Sequence, residues 1–103
     1  MKELKAFIHR NRAIDVVHAL QAAGFTRLSA VDVMGLVTAL DNKEQDYSTE
    51  IGTGVVTEVK VEVVCDNDQV QEAVRIIREQ GATGQPESGW IYVSEISDAM
   101  PIS

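Results

Sequence analysis

The chain has 103 residues, enough for one hydrophobic core and too few for two, so we expect a single domain over residues 1–103. Hydrophobic residues make up 45% and charged residues 24%, as in ordinary globular proteins. The formal net charge of −7 disfavours nucleic acid as a partner, because binding to its phosphates depends on Lys and Arg contacts.

The N-terminus predicts a protein that is not inserted in a membrane. Residues 1–5 contain no apolar signal segment, and no run approaches the roughly 20 apolar residues of a membrane span. We therefore expect a cytoplasmic protein. Cys65 is the only cysteine, which excludes an internal disulfide, and its valine-rich neighbourhood favours a small buried side chain over a reactive thiol.

The first third of the chain predicts a strand, a helix and a second strand. Leu4, Ala6 and Ile8 alternate with more polar residues, the period of a strand with one buried face. Asn11 can then cap a helix that ends at Gly24, and the helix has an apolar stripe. The stripe consists of Ala13, Val16, Val17, Leu20 and Ala23. Residues 25–34 follow as a strand that ends at Gly35, and His18 is interpreted as a boundary residue because only Asp15 lies near it.

Residues 36–54 predict a long loop with a function. After a short apolar start the segment is rich in Asp, Asn, Glu, Gln, Ser and Thr, and it sustains neither the helical nor the strand period. Loops of this length are uncommon inside a compact domain and are usually functional. We expect this loop to become ordered when a partner or ligand binds.

The second half repeats the order of elements. Residues 55–64 alternate valines with Glu and Lys and give the strongest strand pattern in the chain. Asp68 and Gln71 have the spacing of a capping box for a second helix, which ends at Gly81. Its apolar face is Val70, Ala73, Val74 and Ile77. A fourth strand over residues 90–96 precedes a short tail, residues 97–103.

Between the second helix and the fourth strand lies a glycine-rich segment, residues 81–89. Glycines permit a positive φ and a close approach of the backbone to a ligand. Successive backbone N–H groups in such a loop can form a concave anion site, so phosphate binding is one interpretation. A plain turn between a helix and a strand accounts for the same residues, and this stretch taken alone favours the plain turn.

The order strand-helix-strand-strand-helix-strand predicts an α+β, ferredoxin-like βαββαβ sandwich, with a four-stranded antiparallel sheet and two helices on one face. The other face would carry Phe7, Trp90, Tyr92 and valines of the third strand, which are poorly suited to water. Closed oligomerisation would cover that face.

Several segments resemble the PII signalling proteins, and the resemblance covers nearly the whole chain. They are residues 1–10, the strand end Val33-Met34-Gly35, residues 59–64, and Thr83-Gly84 through Gly89 to Ile91-Tyr92-Val93. The resemblance implies a non-enzymatic homotrimer that binds adenine nucleotides in clefts between subunits. It also implies that residues 36–54 are a T-loop that contacts a target protein and that residues 82–89 are a phosphate-holding B-loop.

The resemblance further implies a set of nucleotide-binding residues. Phe7 and Ser29 would contribute across the subunit boundary, and Gly84 and Gly89 would face the phosphates. The full set is Phe7, Ser29, Gly35, Glu62, Val64, Thr83, Gly84, Gly89 and Trp90.

Departures from the family pattern bear on the ligand. Trp90 occupies the position where the B-loop usually has a lysine, and the tail contains none of the arginines that usually reach the phosphates. Ile51 stands where some members have a modified tyrosine, with Tyr47 nearby. Since several charge-assisted contacts to a triphosphate would be missing, we expect AMP or ADP to be favoured over ATP.

This pattern resembles the divergent PII-like branch linked to inorganic carbon, either carboxysome-associated or partnered with bicarbonate transporters. Bicarbonate is then a second expected ligand, held by N–H groups near Gly52 and Gly54 or by Arg10 and Lys60; Arg27 is a further nearby cation. The alternative is a ferredoxin-like trimer that binds divalent metal, although two histidines and one cysteine form no complete ligand set. An enzyme is not expected, because no nucleophile with a nearby base can be identified.

Overall fold

The computed structural model describes residues 1–37, 54–86 and 88–103, and it confirms the predicted βαββαβ order. The strands are β1 (Lys2–His9), β2 (Leu28–Val37), β3 (Gly54–Cys65) and β4 (Gly89–Glu95). The helices are α1 (Arg10–Ala22) and α2 (Val70–Gly81), the latter preceded by a 3₁₀ turn at Asn67–Gln69. The sheet has the order β2-β3-β1-β4, with all neighbours antiparallel. No helix among the described residues is both long enough and apolar enough to cross a membrane.

The hydrophobic core lies between one face of the sheet and the two helices. Alternate residues of β1 and β3 point into it because side chains alternate between the two faces of a strand. The core residues are Leu4, Ala6, Ile8, Val16, Leu20, Phe25, Val59, Val61, Val63, Cys65, Ala73, Ile76 and Ile77. No charged or polar residue of the described chain is buried. The interior is therefore held by apolar packing.

The other side of the sheet, here called the open face, carries the remaining residues of each strand. The expectation that Phe7, Trp90 and Tyr92 lie on this face is consistent with the register, in which Phe7 pairs with Trp90 and Lys5 with Tyr92. The expectation for the third-strand valines is wrong at the three core positions Val59, Val61 and Val63, which are buried beneath the helices. Glu58, Lys60 and Glu62 occupy the alternate positions of β3, so the open face is more polar than we predicted.

The end of α1 explains why β2 begins later than expected. Gly24 has φ +95°, its N–H donates to the Gln21 carbonyl at 3.0 Å, and the Phe25 N–H donates to the Leu20 carbonyl at 3.0 Å. This is the Schellman arrangement, in which a left-handed glycine lets two N–H groups fold back onto the last turn. Phe25 then packs in the core at 5% exposure. The predicted start of the strand at residue 25 is wrong because Phe25 completes the helix end, and β2 starts at Leu28.

The predicted end of β2 at Gly35 is also wrong. Gly35 pairs with Val56, and the strand continues through Leu36 to Val37. The predicted loop over residues 36–54 therefore overlaps β2 at its start and β3 at Gly54, and residues 38–53 lie outside the described residues.

Both predicted helix starts are displaced. α1 begins at Arg10 after His9, which makes no side-chain capping bond, so Asn11 lies inside the helix. The capping box is formed by Asp66 and Gln69, two residues before the predicted pair Asp68 and Gln71. The Asp66 N–H donates to the Gln69 side-chain oxygen at 2.9 Å. The box therefore starts the 3₁₀ turn, which sequence periodicity alone did not reveal.

Gly81 is the last residue of α2, as predicted. It is buried, and a Cβ there would lie 3.4 Å from the Ile8 Cγ2 methyl and 3.7 Å from the Val16 Cγ2 methyl. These are ordinary van der Waals distances, so Gly81 lies where α2 packs on β1 and α1 without being sterically required there. The fourth strand starts one residue earlier than predicted, at Gly89, and ends at Glu95.

Candidate functional site

Between α2 and β4 the described residues 82–86 and 88 belong to a loop that side-chain hydrogen bonds hold closed. The Thr83 N–H donates to the Ser88 Oγ at 2.9 Å, and the two hydroxyl oxygens are also 2.9 Å apart. The Ser88 hydroxyl reaches the Gln85 carbonyl at 3.3 Å, and the Gln85 N–H lies 3.4 Å from the Thr83 Oγ1. A loop with this many internal bonds costs less entropy to order around a ligand than an open chain of the same length.

Two of the predicted loop residues require glycine for different reasons. Gly84 has φ +89°, which other residues rarely adopt, but a Cβ there would meet no atom within 4 Å. At Gly89 a Cβ would lie 2.0 Å from the Phe7 carbonyl oxygen. Gly89 therefore lets β4 approach β1, and Gly84 lets the loop turn.

Beside the loop, aromatic residues form a partly exposed patch on the open face. Phe7 and Trp90 are cross-strand partners, and the ring centroids of Phe7 and Tyr92 lie 5.9 Å apart at 78°, an edge-to-face contact. Trp90 is 58% exposed and Tyr92 56% exposed. Such a surface can stack a planar ring or pack against another subunit.

The remaining predicted residues on the sheet lie on the β2 and β3 side of the open face. Ser29 pairs with Glu62, and Val64 lies beyond Glu62 on the same face. Ser29 stands on one edge strand and Trp90 on the other, and these strands are about 14 Å apart across three strand spacings. Gly35 lies near the end of β2, at the same end of the sheet as the loop.

The register thus groups the predicted residues into two sets. Phe7 and Trp90 adjoin the loop, whereas Ser29 adjoins Glu62. The resemblance implied that Phe7 and Ser29 both contribute across the subunit boundary. The strand register places Phe7 beside the loop of its own chain, apart from Ser29.

A cavity of about 390 Å³ lies on the helix side of the loop, between the last turn of α2 and β4. It includes Gly89 and Trp90 of the predicted set but neither Ser29, Glu62 nor Val64. Its lining is Ile8, Ile77, Arg78, Gly81, Ala82, Gln85, Pro86, Ser88, Gly89, Trp90 and Ile91. Sequence reasoning missed Arg78, Gln85 and Ser88. Arg78 lies three residues before Gly81, and this short sequence distance from the loop could have indicated that Arg78 lines the cavity.

The cations predicted for an anion site are engaged in ion pairs. Both guanidinium nitrogens of Arg10 contact the Asp32 carboxylate at 3.0 Å, and the Lys60 ammonium lies 3.4 Å from Glu62. Gly54 is the first residue of β3, and Gly52 lies outside the described residues. Arg27 lines a separate cavity near Met1 and Cys65.

Other reactive residues occupy structural positions. Cys65 is buried, and burial raises the pKa of its thiol, as does the nearby Asp66 carboxylate. Both effects keep the thiol neutral and unreactive. His18 is exposed on α1. Among the described residues, no group of three or more His, Cys, Asp or Glu side chains could hold a metal ion.

Fold and site together define a ferredoxin-like α+β protein with a closed glycine loop at the start of an edge strand. Comparison with known proteins then gives the family. The model of the family described as "Nitrogen regulatory protein P-II" matches residues 1–103. The chain belongs to this P-II family, whose members are non-enzymatic signal transducers.

Individual relatives are distant but similar over their length. The chain is 30% identical to a nitrogen regulatory protein P-II of Mesorhizobium japonicum and 31% identical to one of Cereibacter sphaeroides. Each alignment covers 99% of this chain and 91% of the relative. Identity to nitrogen regulatory protein P-II 1 of Methanothermobacter thermautotrophicus is 26%, covering 99% of this chain and 89% of that protein. The chain is therefore a regulatory protein of this family.

Proposed function

We propose that the protein is a homotrimeric regulator that senses adenine nucleotide at clefts between its subunits. Membership in the P-II family implies a trimer and adenine-nucleotide binding in general terms. The observation that carries the proposal is the placement of the two sets of residues. Phe7, Trp90 and the loop lie toward one edge of the sheet, and Ser29 lies on the opposite edge strand beside Glu62.

The placement favours a site built from two copies. The loop cavity of one chain lacks Ser29, Glu62 and Val64, and on the open face the described side chains Val31, Trp90 and Tyr92 are half exposed. If the edge of one copy meets the opposite edge of the next, a closed ring places Ser29 and Glu62 of each subunit against the loop of its neighbour. The half-exposed Trp90 then lies within the cleft.

The proposed ligand is AMP or ADP in preference to ATP. Trp90 offers an indole where a phosphate-binding cation is usual in the family, and it pairs with Phe7 in an apolar part of the cleft. With a formal chain charge of −7, each additional phosphate needs local compensation. Fewer phosphates therefore match this site better.

Nucleotide binding would act on a target protein through residues 36–54. β2 ends and β3 begins at the two ends of this segment. A ligand bound beside these strand ends can therefore favour one conformation of the segment if it binds that conformation more tightly. Bicarbonate as a second ligand, with a transporter or carboxysome protein as target, rests on the resemblance to the PII-like carbon branch. The relatives described above are instead named for nitrogen regulation.

Thermal shift measurements test the proposed ligand. Protein is heated with AMP, ADP or ATP, each with and without bicarbonate. A ligand that binds only the folded protein raises its stability by about 2.7 kcal/mol at a concentration of 100 Kd. We expect AMP and ADP to raise the melting temperature more than ATP does, and bicarbonate to add to the shift. No shift with any nucleotide at millimolar concentration would overturn the proposal.

A further inference from the structure

The cavity on the helix side of the loop contains one charged side chain among its described lining residues, Arg78. Ile8, Ile77 and Ile91 form apolar walls, and Gln85 and Ser88 provide polar groups at the loop. The volume of about 390 Å³ lies in the lower part of the range of small-molecule pockets. The cavity thus combines apolar walls with one fixed positive charge.

Arg78 is available for a ligand. The cations Lys2, Lys5, Arg10, Lys60 and Arg75 all form ion pairs. Within the described residues Arg78 has no carboxylate partner, and it is exposed. Of the described basic side chains without such a partner, Arg78 is the one that lines the loop cavity; Arg12 does not, and Arg27 lines another cavity.

Arg75, one turn earlier on α2, provides the contrast. Its guanidinium binds Glu79 at 2.8 Å and also binds Glu72, and these carboxylates raise the pKa of Arg75. Glu72 in turn has its pKa lowered by the hydrogen bond from Arg75. All three guanidinium nitrogens of Arg75 are therefore engaged by carboxylates, whereas Arg78 has no carboxylate partner among the described residues.

We infer that Arg78 contacts a phosphate group bound in the loop cavity. A guanidinium donates two parallel hydrogen bonds to a phosphate, which an ammonium cannot do in the same fixed geometry. Arg78, Gly89 and Trp90 line the same cavity, so a ligand bound at the loop can present its phosphate to Arg78. The inference rests on the proposed function where the phosphate belongs to a nucleotide; inorganic phosphate is the other source.

Calorimetric titration of the full chain tests this assignment with three probes: AMP, adenosine and inorganic phosphate. The variants are Arg78→Gln and the control Arg75→Gln. Both variants remove one positive charge from α2, so a general effect of net charge would weaken binding equally. We expect Arg78→Gln to weaken AMP binding about tenfold or more through the lost charge-assisted hydrogen bonds, with adenosine unaffected. Arg75→Gln should bind AMP like the parent.

The outcomes separate this inference from the proposed function. If the parent binds AMP and Arg78→Gln binds it equally well, the inference is overturned and the proposed function stands. If the parent binds inorganic phosphate through Arg78 but no nucleotide, the inference stands and the proposed function falls. If the parent binds neither phosphate compound, both fall. Arg78→Lys should retain part of the affinity, because the charge remains while the two parallel hydrogen bonds are lost.

Discussion

At the scale of single residues, the glycines of the loop show that one residue type serves separate purposes. Gly84 supplies a backbone conformation, whereas Gly89 supplies space beside the Phe7 carbonyl. Gly81 ends α2 in the core, where a Cβ would make only ordinary van der Waals contacts. The sequence pattern suggested a common role in a flexible loop, but only Gly84 fits that description fully.

The two loop glycines should respond differently to alanine. In Gly89→Ala the new Cβ would lie 2.0 Å from a backbone oxygen, so β4 must move away from β1. We expect a loss of about 3 kcal/mol or more in the free energy of unfolding, a size typical of overpacking at a fixed backbone contact. Gly84→Ala meets open space and should cost about 1 kcal/mol through its left-handed conformation. Urea denaturation measures both, and equal losses would contradict the separate roles.

At the scale of elements, hydrogen bonds at the chain turns set the boundaries that periodicity left uncertain. The Schellman end of α1 takes Phe25 out of the strand, and the capping box at Asp66 and Gln69 starts a 3₁₀ turn before α2. In both places the apolar pattern identified the element correctly, but the first bonded residue lay two or three positions away.

The capping box gives a matched test with two glutamines. Gln69→Ala removes the 2.9 Å bond from the Asp66 N–H and should lower the free energy of unfolding by about 1 kcal/mol. Gln71→Ala alters the exposed residue that the sequence pattern had assigned to the box, and it should change stability by less than about 0.5 kcal/mol. The measurement is again urea denaturation. A larger loss in Gln71→Ala would restore the original assignment.

Sequence reasoning predicted the fold more completely than the site. Alternation in β1 and β3 depends on local side-chain periodicity, so the order of elements and most of the core followed from it. The cavity at Arg78 depends on how α2 meets β4, a contact between elements that periodicity does not encode. The ion pairs of Arg10 with Asp32 and Lys60 with Glu62 likewise arise from tertiary packing and strand register.

At the scale of the whole molecule, the exposed face and edges of the sheet favour assembly of this P-II chain into an oligomer. Two helices cover one face of the sheet and leave Phe7, Trp90 and Tyr92 on the other, with β2 and β4 as the edge strands of the described sheet. A regulator built this way gains a cleft at each contact between copies, so ligand binding and assembly are linked. Nucleotide would then stabilise the trimer as well as the fold.

A mixed-trimer experiment tests the central claim, that each nucleotide site is shared between two copies. Gly84→Asp places a carboxylate in the loop at a position with open space, and Ser29→Trp fills the opposite side of the proposed cleft. Neither variant should bind AMP alone.

In trimers refolded from equal amounts of the two variants, an intact loop meets an intact Ser29 side at one contact in four. Calorimetry should therefore recover about a quarter of the parent's AMP sites at the parent's affinity. If each site lay within one chain, every copy would carry a defect and the mixed trimers would not bind AMP. That result would contradict a site shared between two copies.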